Sequence, residues 1–129
     1  MAVRPPRIKD ILSGIILLAG MGRKPIPLAA VHSIIHAMKP HESILSGLRF
    51  SLTGAVCYSR DIDQALDCLA DAGYLRVVGG AILAGENADA FGGYLSGFLT
   101  NSQIQAVHSA SLRFHERARR EARDPMSRM

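Results

Sequence analysis

Tryptophan is missing from this chain, and the other large aromatics are few: four Phe and three Tyr in 129 residues. A core without them must rest on Leu, Ile, Val and Ala, as in small helical domains. Cysteine is equally scarce. Cys57 and Cys68 are too few for a disulfide framework and lack the companion ligands of a zinc site, so a reducing compartment, the cytoplasm, is expected. The longest apolar run, residues 11–21, is too short to cross a bilayer and contains Ser13 and Gly14, which leaves no membrane partner. Arg4, Arg7 and Lys9 precede that run as in a signal peptide, but no small-residue cleavage site follows. A buried first helix is the expectation.

Chemistry-bearing patterns are also thin. His32 and His36 stand four apart with His41 nearby, yet no carboxylate occupies the matching positions and HExxH is absent. His108 and His115 are seven apart and fare no better. Gly20-Met21-Gly22-Arg23-Lys24 lacks the spacing of a phosphate-binding loop, and Pro25 follows in place of Ser or Thr. Cys57 could act as a nucleophile only beside a histidine that sequence cannot place. No metal, no cofactor and no catalytic residue are therefore expected, and no repeat indicates a solenoid.

What is present is a chain with 48% apolar and 20% charged residues, the proportions of one globular domain. Its net charge of +4 is unevenly spread. Residues 1–39 carry six Lys/Arg against one acid, residues 40–100 three against seven, and residues 101–129 six against three. Ile8, Ile11, Leu12, Ile15, Leu18 and Ala19 recur at helical spacing, and Leu28, Val31, Ile35 and Met38 mark a second helix over about 27–38. A short turn to Leu48 follows, then a short strand over 49–53 that could pair with a later hairpin. Asp61, with Gln64 three residues on, forms a candidate capping box, and Gly73 can end a helix over 61–72. Tyr74–Val78 and Ala81–Leu83 read as strands joined by Gly79-Gly80, a hairpin or wing. Residues 94–99 form a short apolar element. Asn101 or Ser102 can cap a last helix to about Arg123, whose stripe of Ile104, Val107, Ser111, Phe114 and Ala118 indicates packing within the chain or against a second one.

The helix before the wing is one-sided. Ala65, Leu66, Leu69 and Ala72 share its apolar face with Ile62, whereas Asp63, Asp67 and Asp71 follow one another at i, i+4, i+8 on the other. An acidic ridge repels phosphate, so it suits a cationic protein surface or plain solvent better than a nucleic acid. Cations that could serve a duplex instead are Arg23, Lys24, Arg76, Arg113, Arg117 and Arg120. Glu116–Arg120, Arg117–Glu121 and Arg120–Asp124 can satisfy much of that charge as i, i+4 pairs.

These elements together predict a mainly α fold with a small β-hairpin wing (α+β): a winged helix-turn-helix-like domain over 7–84, and a connection with a C-terminal helical extension over 85–129. The order GRKPIPLAAVHSIIHAM, then GAVCYSRDIDQALDCLADAGYLRV, resembles the winged-helix-like middle components of bacterial three-component ABC-ATPase defence systems, including the Lamassu type. That resemblance implies a non-catalytic subunit bridging an SMC-like ATPase and an effector, and it covers about residues 8–84. Two roles remain open. One is an adaptor using Asp63, Asp67, Asp71, Ile104, Val107 and Phe114 to hold a protein partner. The other is a DNA-binding transcriptional regulator, homodimeric through the last helix and touching phosphates through the six cations named above.

Overall fold

In the computed structural model, which describes residues 7–20, 24–53 and 56–123, the first apolar run forms α1 (Ile8–Leu17), every residue of which from Asp10 onward is buried. Its neighbours explain why. α3 (Arg60–Asp71) packs along one side and α5 (Asn101–Arg123) along another, with α4 (Phe91–Ser96) beside them. Leu12, Ile15 and Ile16 are fully enclosed; each such side chain contributes about 1.5–3 kcal/mol relative to exposure.

Between α1 and α3 the chain forms β1 (Ile26–Pro27), α2 (Leu28–Met38) and two 3-10 turns (Lys39–His41 and Ser43–Leu45). A small hairpin then joins β2 (Ser51–Thr53) to β3 (Val56–Tyr58). The strand expected near residue 50 therefore pairs with its immediate successor and not with the wing. After α3 the wing itself forms, as β4 (Leu75–Val78) and β5 (Ala81–Ala84). Gly79 and Gly80 sit at φ 59° and 76°, the two left-handed positions that a two-residue turn of this type demands. β1 adds to the other side of β5, Ile26 opposite Ile82, giving an antiparallel sheet in the order β1-β5-β4. The fold is mainly helical α+β. The wing tip is also tied down, because the Leu28 N–H at the start of α2 donates to the Gly80 carbonyl at 2.9 Å.

α3 and α5 carry side-chain caps, at positions different from those expected. α3 starts one residue earlier than the Asp61 reading, at Arg60, and its cap is Ser59, whose Oγ accepts from the Ile62 N–H at 3.4 Å. Asp61 accepts instead from the Arg49 N–H at 3.4 Å. The far end is as expected: Gly73 and Tyr74 donate to the carbonyls of Ala70 and Leu69, a Schellman closure. α5 is capped by Thr100, not by Asn101 or Ser102. The Gln103 N–H donates to Thr100 Oγ1 at 3.2 Å, and the Thr100 N–H donates to Gln103 Oε1 at 2.8 Å.

The stripe on α5 packs in cis. Val107 and Phe114 are 1% and 0% exposed within the core, and Ile104 is half-buried against it. These residues, expected to face a partner or a second copy, are used up by the chain's own α1 and α2. Polar contacts fix the same docking. The Ala19 N–H donates to Ser111 Oγ at 3.0 Å, and His115 Nε2 donates to the Ile16 carbonyl at 2.6 Å, which satisfies an acceptor at the end of α1. Arg113 grips Glu42 with two bonds of 2.6 and 2.5 Å, joining α5 to the turn after α2. Closest approach falls at Gly14, where an added Cβ would run into the Val107 side chain and touch that of Leu95.

Two outcomes are expected. Gly14→Ala gains about 1 kcal/mol of helix propensity but loses more to the clash, about 1–3 kcal/mol. Denaturant unfolding of Gly14→Ala, Val107→Ala and the double variant should show the two changes failing to add, the pair more stable than the sum by about 1 kcal/mol or more. For His115, burial is the main cause that lowers its pKa from 6.5, with Arg119 acting in the same direction and the Ile16 carbonyl opposing. The unfolded chain then takes up this proton first as pH falls. The stability held above about pH 6.5 is lost from there down to the lower folded pKa. His115→Gln keeps a donor without titrating, so its unfolding midpoint should fall less between pH 7 and 5 than that of the parent.

Candidate functional site

α3 is the element to build from, since it lies between the buried α1 and the wing. Ile62, Ala65, Leu66 and Leu69 face inward, as their spacing requires. On the opposite side Asp67 and Asp71 are exposed, and among the described residues neither has a hydrogen bond or ion pair. Asp63 differs. It is half-buried, and both carboxylate oxygens are taken by the chain: Oδ1 by His32 Nε2 at 3.1 Å and Oδ2 by the Tyr58 hydroxyl at 2.7 Å.

The contact is part of a closed network. His32 is buried on α2, and its Nδ1 accepts from the Ser59 N–H at 3.1 Å, so Nε2 carries the hydrogen given to Asp63. Tyr58 stacks on the imidazole, ring centroids 5.3 Å apart and 20° from parallel. Its hydroxyl pKa is raised, first because the Asp63 carboxylate accepts its hydrogen bond, then by burial and by the charge on Asp63. Three segments meet here: α2, the end of β3 and the first turn of α3. Both ring nitrogens are spent on protein, and the buried Ser59 hydroxyl is spent on the cap. The constellation has the residue types of a hydrolytic triad but works as a clamp, since no nitrogen remains to take a proton from a nucleophile.

The acidic ridge is therefore shorter than the sequence indicates. Asp63 anchors the fold, and the exposed pair is Asp67 and Asp71. The candidate phosphate-binding cations are scattered too. Lys24 and Arg76 are exposed near the three-stranded sheet, whereas Arg113 is bound to Glu42 and Arg120 to Glu116 at 2.8 Å, both on α5. Arg117 is exposed on α5, and Arg23 lies outside the described residues. α5 packs on α1, α2 and α4, while β4 packs on β5 and α3, so these cations occupy different elements. Glu116–Arg120 forms as its i, i+4 spacing foretells. The Arg113 pairing, seventy-one residues apart, has no local signal. Of the other histidines, His36 meets Phe50 edge-on at 4.8 Å, and among the described residues no group of three or more His, Cys, Asp or Glu could hold a metal ion.

Comparison with protein-family models, with curated proteins and with solved structures finds no match to this chain. The resemblance drawn from residues 8–84 stands on those residues alone.

The two kinds of aspartate should separate in unfolding experiments. Asp63→Ala strands the buried His32 Nε2 donor and should cost about 1–3 kcal/mol, with Asp63→Asn less damaging because an acceptor survives. Asp67→Ala should stay within about 0.5 kcal/mol of the parent, as at an uncommitted surface site. Equal losses at the two positions would contradict the clamp.

Proposed function

We propose that this chain is a non-catalytic adaptor of the winged-helix type, and that α3 holds a cationic surface of a protein partner. The order of elements supports the type: α1, the short strand β1, α2, then, after the small β2–β3 hairpin, α3 and the wing, with β1 added to the wing as β1-β5-β4. In that arrangement the helix before the hairpin is the one offered to a groove. The observation that carries the role is the pair of exposed carboxylates on that helix, Asp67 and Asp71, neither of which has an ion-pair partner among the described residues. They would meet a phosphate backbone with repulsion, and a patch of Lys or Arg with attraction. In line with the family resemblance, we place the partner in a bacterial ABC-ATPase defence complex, as an SMC-like ATPase or its effector, working in the cytoplasm.

The DNA-binding alternative has less support. Its dimerising stripe is occupied in cis, and two of its six cations, Arg113 and Arg120, are held by Glu42 and Glu116.

The test is co-purification from the native host. Asp67→Lys with Asp71→Lys should remove the partner while leaving the unfolding midpoint unchanged; Asp63 is left intact because it belongs to the clamp. A double variant that still brings its partner down would sink the adaptor reading. Salt-dependent binding of duplex DNA, lost on Arg76→Ala, would replace it with the regulator.

A further inference from the structure

The wing carries a second surface, unrelated in sign and chemistry to α3. β4 is an edge strand, since the sheet runs β1-β5-β4. Val78 and Ala81 flank the two-residue turn and form its hydrogen-bonded pair, Arg76 and Leu83 form the next, and the Gly85 N–H reaches the Tyr74 carbonyl at 3.0 Å. Leu75 and Val77 therefore turn their N–H and C=O groups away from β5. That row of four backbone groups is a template for another strand.

The side chains around it are apolar and open. Val77 and Val78 are 47% and 55% exposed. Tyr74, the residue before β4, begins a row of aromatic rings: Tyr94 lies 5.9 Å from it, and Phe98 lies 4.9 Å beyond Tyr94. Tyr94 and Phe98 are 41% and 54% exposed. Four of the six large hydrophobic side chains exposed among the described residues thus lie on the edge strand or on the aromatic row that continues from its start. Proteins seldom leave an apolar edge strand uncovered beside aromatic rings unless something covers it.

Charge decides what that is. Arg76 is the strand's only charged residue, and among the described residues its side chain makes one hydrogen bond, a long one of 3.4 Å to the Ala84 carbonyl. If a second copy used all four outward groups, Leu75 would pair with Val77 of the copy. Arg76 would then stand directly across from Arg76 of the copy, about 4.5 Å away at Cα, a like-charge pair that opposes the match. A strand with a carboxylate at that place gains where the copy loses. We infer that β4 takes up an extended peptide segment of a protein partner by strand addition. The segment has a carboxylate facing Arg76, apolar residues on either side, and a ring or branched chain seated against Tyr94 and Phe98.

The probe is acetyl-Ser-Val-Val-Glu-Val-Phe-Ser-amide, titrated into the isotope-labelled full chain with amide shifts as the readout. Shifts should concentrate at Leu75–Val78, Tyr94 and Phe98. Binding should weaken by at least about tenfold when the probe residues facing Leu75 and Val77 are N-methylated, or when its Glu becomes Lys. Arg76→Glu, a change at an exposed position, should reverse the preference between the Glu and Lys probes. The chain carrying Asp67→Lys and Asp71→Lys should bind the probe unchanged, so failure of the α3 reading and failure of this one can be told apart. The proposal is overturned by shifts that avoid β4, or by indifference to N-methylation and to charge. It is equally overturned by concentration-dependent dimerisation that protects the Val77 amide without peptide, which would make a second copy the occupant.

Discussion

Everything in this fold leans on the enclosure of α1. Eight of its ten residues are buried, so the helix must be covered on several sides, and one helix cannot do that. α3 covers one side and α5 another, so the C-terminal extension is part of the core and not an appendage. Gly14 is the permissive point. Without a Cβ there, Val107 and Leu95 can close over the middle of α1, and α5 lies near enough for Ser111 and His115 to bond the end of α1. The helix propensity forgone at Gly14 is offset by this contact. A domain that ended at the wing would leave α1 bare on that side.

The sequence disclosed what is periodic and local. The apolar spacing of α1, α2, α3 and α5 foretold four helices, Gly73 foretold the end of α3, and Gly79-Gly80 foretold the hairpin. Local patterns with two solutions were less decisive. Ser59 and Asp61 both precede a helical run, and the backbone chose Ser59, which sits in extended conformation at φ −127° and ψ 121°. Thr100 likewise displaced Asn101 and Ser102, because its partner Gln103 completes a reciprocal box. Pairings between distant segments left no trace. Nothing within a window of a few residues joins His32 to Asp63, Arg113 to Glu42 or Ile26 to Ile82.

The same distinction governs the candidate site. Spacing places three aspartates on one face, correctly, but spacing cannot say what lies against that face. Asp63 sits near the N-terminal end of α3, where α2 and β3 converge, and its charge is spent on His32 and Tyr58. Asp67 and Asp71, one and two turns further on, extend beyond those neighbours. A single ridge in the sequence is thus two things in the structure: an internal anchor and an outward pair. The stripe on α5 is the converse case, an amphipathic pattern open to a partner in principle and filled by α1 in fact.

The bond from the Leu28 N–H to the Gly80 carbonyl gives the wing a second attachment. The hairpin is attached at its base, where β4 follows and packs on α3, and again at its apex, on the first turn of α2. His32 stands four residues along the same helix, where it bonds Asp63 and the Ser59 N–H. The wing apex and the acidic helix are therefore both tied to α2, through Leu28 and through His32, one turn apart.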